Sequence, residues 1–451
     1  MRRHQKTHFV ATATSAIALA TCITPINAHD DHQNRDDITR GEAHPTIMDT
    51  TRFFTNRDGA ALNLPTEDEA FTFAIFGDRT GGPADGINVL KDAVHDVNIM
   101  EPDFVMTVGD MIQGYNQTDA WMDQMREFKG VMDELLCPWF PVAGNHDIYW
   151  RGPDKPAGEH EASYEVHFGP LWYSFEHKDC HFIVLYTDEG NPDTGRKSIR
   201  EPEAQRMSPE QLSWLESALE HANDAQHVFV FVHHPRWLKG NYGNDWKNVH
   251  AKLVDAGNVR AVFAGHIHRM RYDGVKDGIE YVTLATVGGH NDFSSPEAGY
   301  LHHMNLITVR PHQIAMSAIP VGEVMDVRAI TGDVSDAASM LARSQPTVDD
   351  VVRIRTDGAS DGRVRVTVRN PTGGTVDVAM YPDSDDARWT FVPDHQHGTI
   401  NAEGEMAFDF EVQRNPGAID DSFHPIALVQ RMDYLTDDAR YAIPERRIDV
   451  P

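Results

Sequence analysis

The chain has 451 residues, of which 40% are hydrophobic and 24% charged, an ordinary globular composition long enough for two or three domains. Its formal net charge of −29 is not ordinary. It argues against a nucleic-acid phosphate backbone as a partner, because that contact needs clustered Lys and Arg.

Residues 1–28 read as a signal peptide. "MRRHQKTH" is basic, "FVATATSAIALATCI" is apolar but short, and "INA" offers a cleavage site at Ala28. "LATC" faintly resembles a lipoprotein box at Cys22, but Thr21 stands where a smaller residue is preferred. No later stretch is long and apolar enough for a transmembrane segment, so the expectation is an exported chain, periplasmic or secreted, with no membrane span once mature. Cys137 and Cys180 then remain, as a bridge or as two separate buried thiols.

Residues 29–45 are a polar, acidic lead-in. From 46 to 325, buried-strand runs alternate with helical periodicity, which predicts an α/β domain. "FTFAIF" is the first such strand. "INVLKDAVHDV" places Ile87, Leu90, Val94 and Val97 on one helical face, and "DFVMTVGD" is a strand that stops at Asp110. "TDAWMDQMREFKGVMDELL" predicts a helix capped by Thr118 or Asp119. "WFPVAGNHD" is a short strand with a turn, and "WYSFEHKDCHFIVLYTDE" reads as a hairpin. "SPEQLSWLESALEHA" opens with Ser208 as cap, Pro209 in the first turn and Gln211 at the capping-box position. "HVFVFVHHP" and "VRAVFAGHIH" are two more buried strands. Residues 326–346 read as a linker with one helical turn. From 347 to 451, short alternating segments, "VVRIRT" and "RVRVTVRN" among them, are separated by turn signals such as "NPTGG", and predict an all-β sandwich.

Five of the apolar strands end in residues able to hold a metal. They are Asp78, Asp110, Asn145-His146-Asp147, His233-His234 and His266-x-His268, and a glycine precedes the polar residue in four of the five. Singly, each has an ordinary reading as a turn former, a helix cap or a surface loop. Together they put open chemistry at the rigid ends of buried strands, where α/β folds collect ligands, and glycine lets backbone come close to what is bound.

As a set, Asp78, "GD" at Gly109-Asp110, "GNHD" at Gly144–Asp147, His233 in "HHP" and "GHIH" at Gly265–His268 resemble the calcineurin-like metallophosphoesterase family over residues 70–310. The resemblance implies a four-layer α-β-β-α sandwich of two mixed sheets flanked by helices, with two divalent metal ions (Mn, Fe, Zn or Ca) at the strand ends. It implies Asp110 as the bridging ligand, Asn145, His233 and His266 on the second ion, and Asp78 and His268 on the first. A water between the ions would attack phosphorus in line. His146 would protonate the leaving oxygen, with Asp147 orienting its ring.

One departure stands out. Many family members read Asp-x-His where this chain has Thr80. Gln113 is the expected substitute ligand to the first ion, with Tyr115 as the alternative. Arg79, Asn145 and His146 are the expected substrate contacts. The reading is therefore an exported phosphoesterase acting on a small phosphate mono- or diester. The alternative is a degenerate, non-hydrolytic metal-containing binding protein of the cell envelope, with glycan or envelope contact through the C-terminal domain.

Overall fold

A computed structural model of the chain describes residues 46–47, 52, 64–65, 69–238, 245–293, 295–349, 351–437 and 439–450. The expected signal peptide and the lead-in at 29–45 lie outside the described residues. The chain divides into two compact units, Met1–Val324 and Met325–Pro451.

The first unit contains two mixed sheets. One has five strands in the order Gln313–Pro320, His303–Arg310, Phe71–Phe76, Phe104–Thr107, Trp139–Phe140. The other has six, Arg271–Lys276, Ile279–Thr283, Val259–Ala264, His227–Phe231, Cys180–Val184 and Tyr173–His177. The central strands of each are parallel and buried on both faces, which is why they read as continuous apolar runs rather than alternations. Aromatic rings fill the space between the sheets. Phe73 of one sheet lies 5.3 Å from Phe182 and 5.4 Å from Phe229 of the other, ring centre to ring centre, with edges turned to faces.

Helices cover the outer faces. Gly86–Met100 and Thr118–Met132 pack Leu90, Val94, Trp121 and Phe128 onto Ala74, Phe76 and Val105 of the five-stranded sheet. Pro209–His221 and Trp246–Ala256 pack Leu215, Leu219, Val249 and Leu253 onto Ile183, Val230 and Val262 of the six-stranded sheet. The four expected layers are present.

Local signals came out unevenly. Ser208 caps its helix, its Oγ accepting from Gln211 N at 3.1 Å, but Gln211 does not close the box. Its amide bonds Tyr186 of the neighbouring strand end, and Glu189 takes the Ser208 N–H instead. Thr118 and Asp119 lie inside the helix they were expected to cap, and Gln117 occupies the cap without a side-chain bond. Cys137 and Cys180 are both free thiols. Among the described residues no helix is long and apolar enough to cross a membrane.

The second unit is a sandwich of two antiparallel four-stranded sheets. Val364, Val366 and Phe410 of one face Val376, Val378 and Met380 of the other in a shared core. Two expectations change here. The stretch read as a linker with a single turn holds the twelve-residue helix Gly332–Arg343, capped by Thr331, with Val334, Ala337 and Leu341 buried. Its small, polar residues hid a three-to-four spacing of apolar ones. The alternating "VVRIRT" forms no strand. Arg353 O accepts from Ser360 Oγ and Arg355 pairs with Asp361 at 2.7 Å, so the segment is a loop folded beside the start of strand Ser360–Arg369.

The inter-sheet core yields a stability prediction. Phe73→Ala removes a fully buried ring stacked on Phe104 and edged by three others, and is expected to destabilise the first unit by about 3–5 kcal/mol, read as a shift in its denaturant midpoint.

Candidate metal centre

The candidate residues converge beyond the carboxyl ends of the parallel strands. Asp78, Asp110 and Asn145 follow strands of the five-stranded sheet, and His233, His266 and His268 follow strands of the six-stranded sheet. One donor atom each from Asp78, Asp110 and His233 lies within 4.8 Å of the others, and the same holds for His233, His234 and His266. Asp78, Asp110, His233 and His266 come within three residues of a strand end, so rigid backbone sets their positions, while Asn145 opens the short helix Asn145–Ile148.

Two glycines allow the close approach. A Cβ on Gly265 would lie 2.1 Å from Asp78 Oδ1, and one on Gly144 2.3 Å from Asp110 Oδ1. Asp110, His266 and His268 themselves take positive φ values of 53°, 70° and 50°. A left-handed backbone at three non-glycine residues of one cluster is strain held by the surrounding structure.

The imidazoles share an orientation. His233 Nδ1 is 2.7 Å from Val108 O and His268 Nδ1 is 2.8 Å from His290 O. Each nitrogen therefore donates to a main-chain carbonyl, and Nε2 is left facing the cluster. His233 Nε2 meets Asp110 Oδ1 at 3.2 Å and Asn145 Oδ1 at 3.1 Å, and His268 Nε2 meets Asp78 Oδ2 at 3.2 Å. A lone pair facing oxygen lone pairs at that distance is repulsive unless a cation stands between them. A proton or a metal ion can fill that role.

The electrostatics carry the same message. Burial pushes the His233 ring down, but Asp110 and Asp78 outweigh it and raise its pKa to about 10. Burial also opposes charge on His268, yet Asp78 lifts it to about 9. Burial would raise Asp110, but His233, His146 and His266 hold it well below the carboxylate range. His266 goes the other way, depressed to about 3 by burial and by repulsion from His233. Asp78 goes up, because burial outweighs the pull of His268 and His233. The cluster thus holds buried carboxylates whose ionised form requires positive charge beside it. Asp78 Oδ1 is fully buried and accepts no hydrogen bond. An orphaned carboxylate oxygen beside imidazole-nitrogen and amide-oxygen donors fits a divalent cation.

The remaining expected residues are distributed differently. His146 N–H donates to Asp110 Oδ1 at 2.8 Å, and its ring Nδ1 sits 2.6 Å from Gln113 O and 2.8 Å from Thr80 Oγ1. Asp147, expected to orient that ring, instead accepts from the main-chain N–H groups of Met111, Ile112 and Gly144 at 2.8–3.2 Å. It locks the two loops together, because an unpaired N–H in that buried turn would be costly. Gln113, expected as an oxygen donor to an ion, turns Oε1 to Gly81 N–H at 2.9 Å and latches the 78–82 loop. The Tyr115 hydroxyl meets the Asn145 amide nitrogen at 3.1 Å. Arg79, an expected substrate contact, is 4% exposed with Nη1 on Gly288 O at 3.4 Å, and serves the 286–289 loop.

Asp188 was missed. It is fully buried, accepts from Tyr149 OH at 2.7 Å and lies 3.2 Å from His234 Nδ1, so it orients the second histidine of "HHP". It too follows a buried strand, Cys180–Val184, and the "YTDE" after that run was the available signal.

The family model for calcineurin-like phosphoesterases matches residues 71–270. The serine/threonine-protein phosphatase CPPED1 of Rattus norvegicus is 26% identical over 216 residues, covering 45% of this chain and 65% of that protein. Tartrate-resistant acid phosphatase type 5 of the same species is 27% identical over 224 residues, covering 46% of this chain and 66% of that protein. The chain thus spans just under two thirds of the length of these relatives. A solved dimetal phosphatase from Danio rerio aligns with a TM-score of 0.43 and 18% identity over 56% of this chain and 99% of its own. With its strand-end donors drawn into one buried cluster, the segment 71–270 is a calcineurin-like phosphoesterase domain.

Proposed function

We propose that the chain is an exported, metal-dependent hydrolase of a small phosphate ester. The observation that carries the reading is the pairing of buried Asp78 and Asp110 with imidazole nitrogens whose other nitrogen is committed to a carbonyl. Asp78, Asp110, Asn145, His233, His266 and His268 are the residues that would hold two divalent ions. Such ions supply Lewis-acid charge to a phosphoryl group and to an attacking water. Gln113 is left out of this set because its amide oxygen already accepts from Gly81. Export rests on the basic, apolar and small-residue order of residues 1–28.

His146 is the proton donor in this reading. Its Nδ1 is anchored by Gln113 O and Thr80 Oγ1, which turns Nε2 toward the cleft that His146 lines. In the protonated ring both nitrogens are donors, one to the anchor and one to the leaving oxygen. Water oxygen forms the new bond to phosphorus, the bond to the leaving oxygen breaks, and the His146 proton neutralises that oxygen. Thr80 stands where many relatives of the resembled family carry a ligand histidine. Here its hydroxyl steadies the proton donor.

The test is turnover of an aryl phosphate and of a bis-aryl phosphodiester by the dialysed full chain, with Mn, Zn, Fe or Ca returned in turn. Activity on neither ester with any ion overturns the reading. His146→Ala is expected to retain bound metal, counted by elemental analysis, and to lose roughly 10²- to 10⁴-fold in kcat. Asp110→Ala should lose metal and turnover together. Gly265→Ala drives a methyl group onto Asp78 Oδ1 and is expected to weaken metal affinity about 10- to 100-fold, measured by titration of the dialysed protein.

A further inference from the structure

Beside the metal-capable cluster lies an open cleft of about 640 Å³, within the range of small-molecule sites. His146 and Gln113 line it, whereas none of the six proposed ligands does. On the hydrolase reading, a phosphoryl group held at the cluster would present its leaving oxygen to His146, and the cleft that His146 lines would take the leaving group.

Its walls are cationic in a chain of net charge −29. Lys197, Arg151 and Arg200 all line it. The Lys197 ammonium is consumed by structure. It contacts Glu161 Oε1 and Asp188 O at 2.5 Å, and Tyr186 OH and Glu189 O at 3.2 Å, which pins the loop that carries Arg200. Arg151 and Arg200 are different. Both are exposed, and neither has a carboxylate partner among the described residues. Arg196 on the same loop is paired with Glu201 at 3.1 Å. The Arg151 guanidinium carbon lies 5.2 Å from the centre of the Tyr115 ring, a stacking contact that holds the charge over the cleft. Tyr115 and Ile199 offer apolar surface beside the two cations.

We infer that the cleft receives the leaving-group half of an organic phosphate carrying a second anion, a carboxylate or another phosphate, and that Arg151 and Arg200 bind that anion. The inference rests on the hydrolase reading above and names the substrate class for the same site. Guanidinium groups suit both anions through paired N–H donors, and a cleft of opposite sign to the rest of the chain concentrates an anionic ligand there.

Three esters test it on the metal-supplied full chain: 4-carboxyphenyl phosphate, hydroquinone bisphosphate and 4-carbamoylphenyl phosphate, whose leaving-group half alone is uncharged. The anionic esters are expected to exceed the carbamoyl ester in kcat/KM by roughly tenfold or more, although the carboxamide makes the better leaving group. Which of the two exceeds it identifies the anion as carboxylate or phosphate. Arg151→Gln combined with Arg200→Gln should collapse the ratio to about one, and Arg196→Gln should keep it. Equal kcat/KM for all three esters, or a preference that survives the double substitution, overturns the inference. A second measurement separates it from the hydrolase reading. Ligand-observed NMR titration should give 4-hydroxybenzoate or the non-hydrolysable 4-hydroxyphenylphosphonate a Kd roughly tenfold below that of 4-hydroxybenzamide, and the double variant should lose the difference. Arginine-dependent anion binding without turnover of any ester sustains the cleft and overturns the hydrolase. Turnover without anion preference overturns the cleft alone.

Discussion

Two carboxylates buried against imidazoles, rather than against Lys or Arg, set the terms for the first unit. Asp78 and Asp110 are removed from water, and the ion pairs they form are with His268 and His233. Burying such charge is expensive unless a cation compensates it. Much of the surrounding design can be read as the means of keeping those groups apart from solvent yet open to a small cation. The parallel strands bring the donors in from two sheets, the glycines remove side-chain bulk, and the main-chain carbonyls fix which imidazole nitrogen faces inward.

The relation between the centre and its neighbouring cleft follows from that arrangement. The carboxylates of the cluster call for positive charge, while the neighbouring cleft carries the exposed guanidinium groups of Arg151 and Arg200. His146 stands at the boundary, its backbone tied to Asp110 and its ring tied to Gln113 and Thr80. A phosphate ester has its charge concentrated at one end and its chemical identity at the other. On the proposed reading, the two environments would divide it along the bond that hydrolysis breaks.

The layered fold and the convergence of donors were legible because both depend on patterns with short periods. Apolar runs ending in Gly-Asp or Gly-His state where a strand stops and what it releases, and Asp78, Asp110, His233 and His266 do come together beyond the strand ends. What could not be read is which partner each polar side chain finds across loops. Asp147 sits next to His146 in sequence but bonds the backbone of Met111 and Ile112, more than thirty residues away. Gln113 bonds Gly81 over a similar separation, and Arg79 turns to Gly288. Loop–loop hydrogen bonds have no periodicity. Asp188 escaped notice for another reason: Leu185, Tyr186 and Thr187 intervene between its strand and its carboxylate, with no glycine to mark the turn. The helix Gly332–Arg343 was missed because alanine and serine mask an apolar stripe whose members are Val334, Ala337 and Leu341.

The origin of the donors in two separate sheets has a mechanical consequence. Asp78 reaches His268, and Asp110 reaches His233, across the gap between the five-stranded and six-stranded layers. A cation held by both sides would act as a rivet through the open end of the sandwich, with the Phe73 ring cluster packed between the sheets deeper in. Since ions bound this way engage the native register and not the unfolded chain, their free concentration enters the folding equilibrium by mass action. Resistance to unfolding in such a protein is a property of the medium as well as of the polypeptide, and a compartment poor in divalent ions would hold the same chain closer to its melting point.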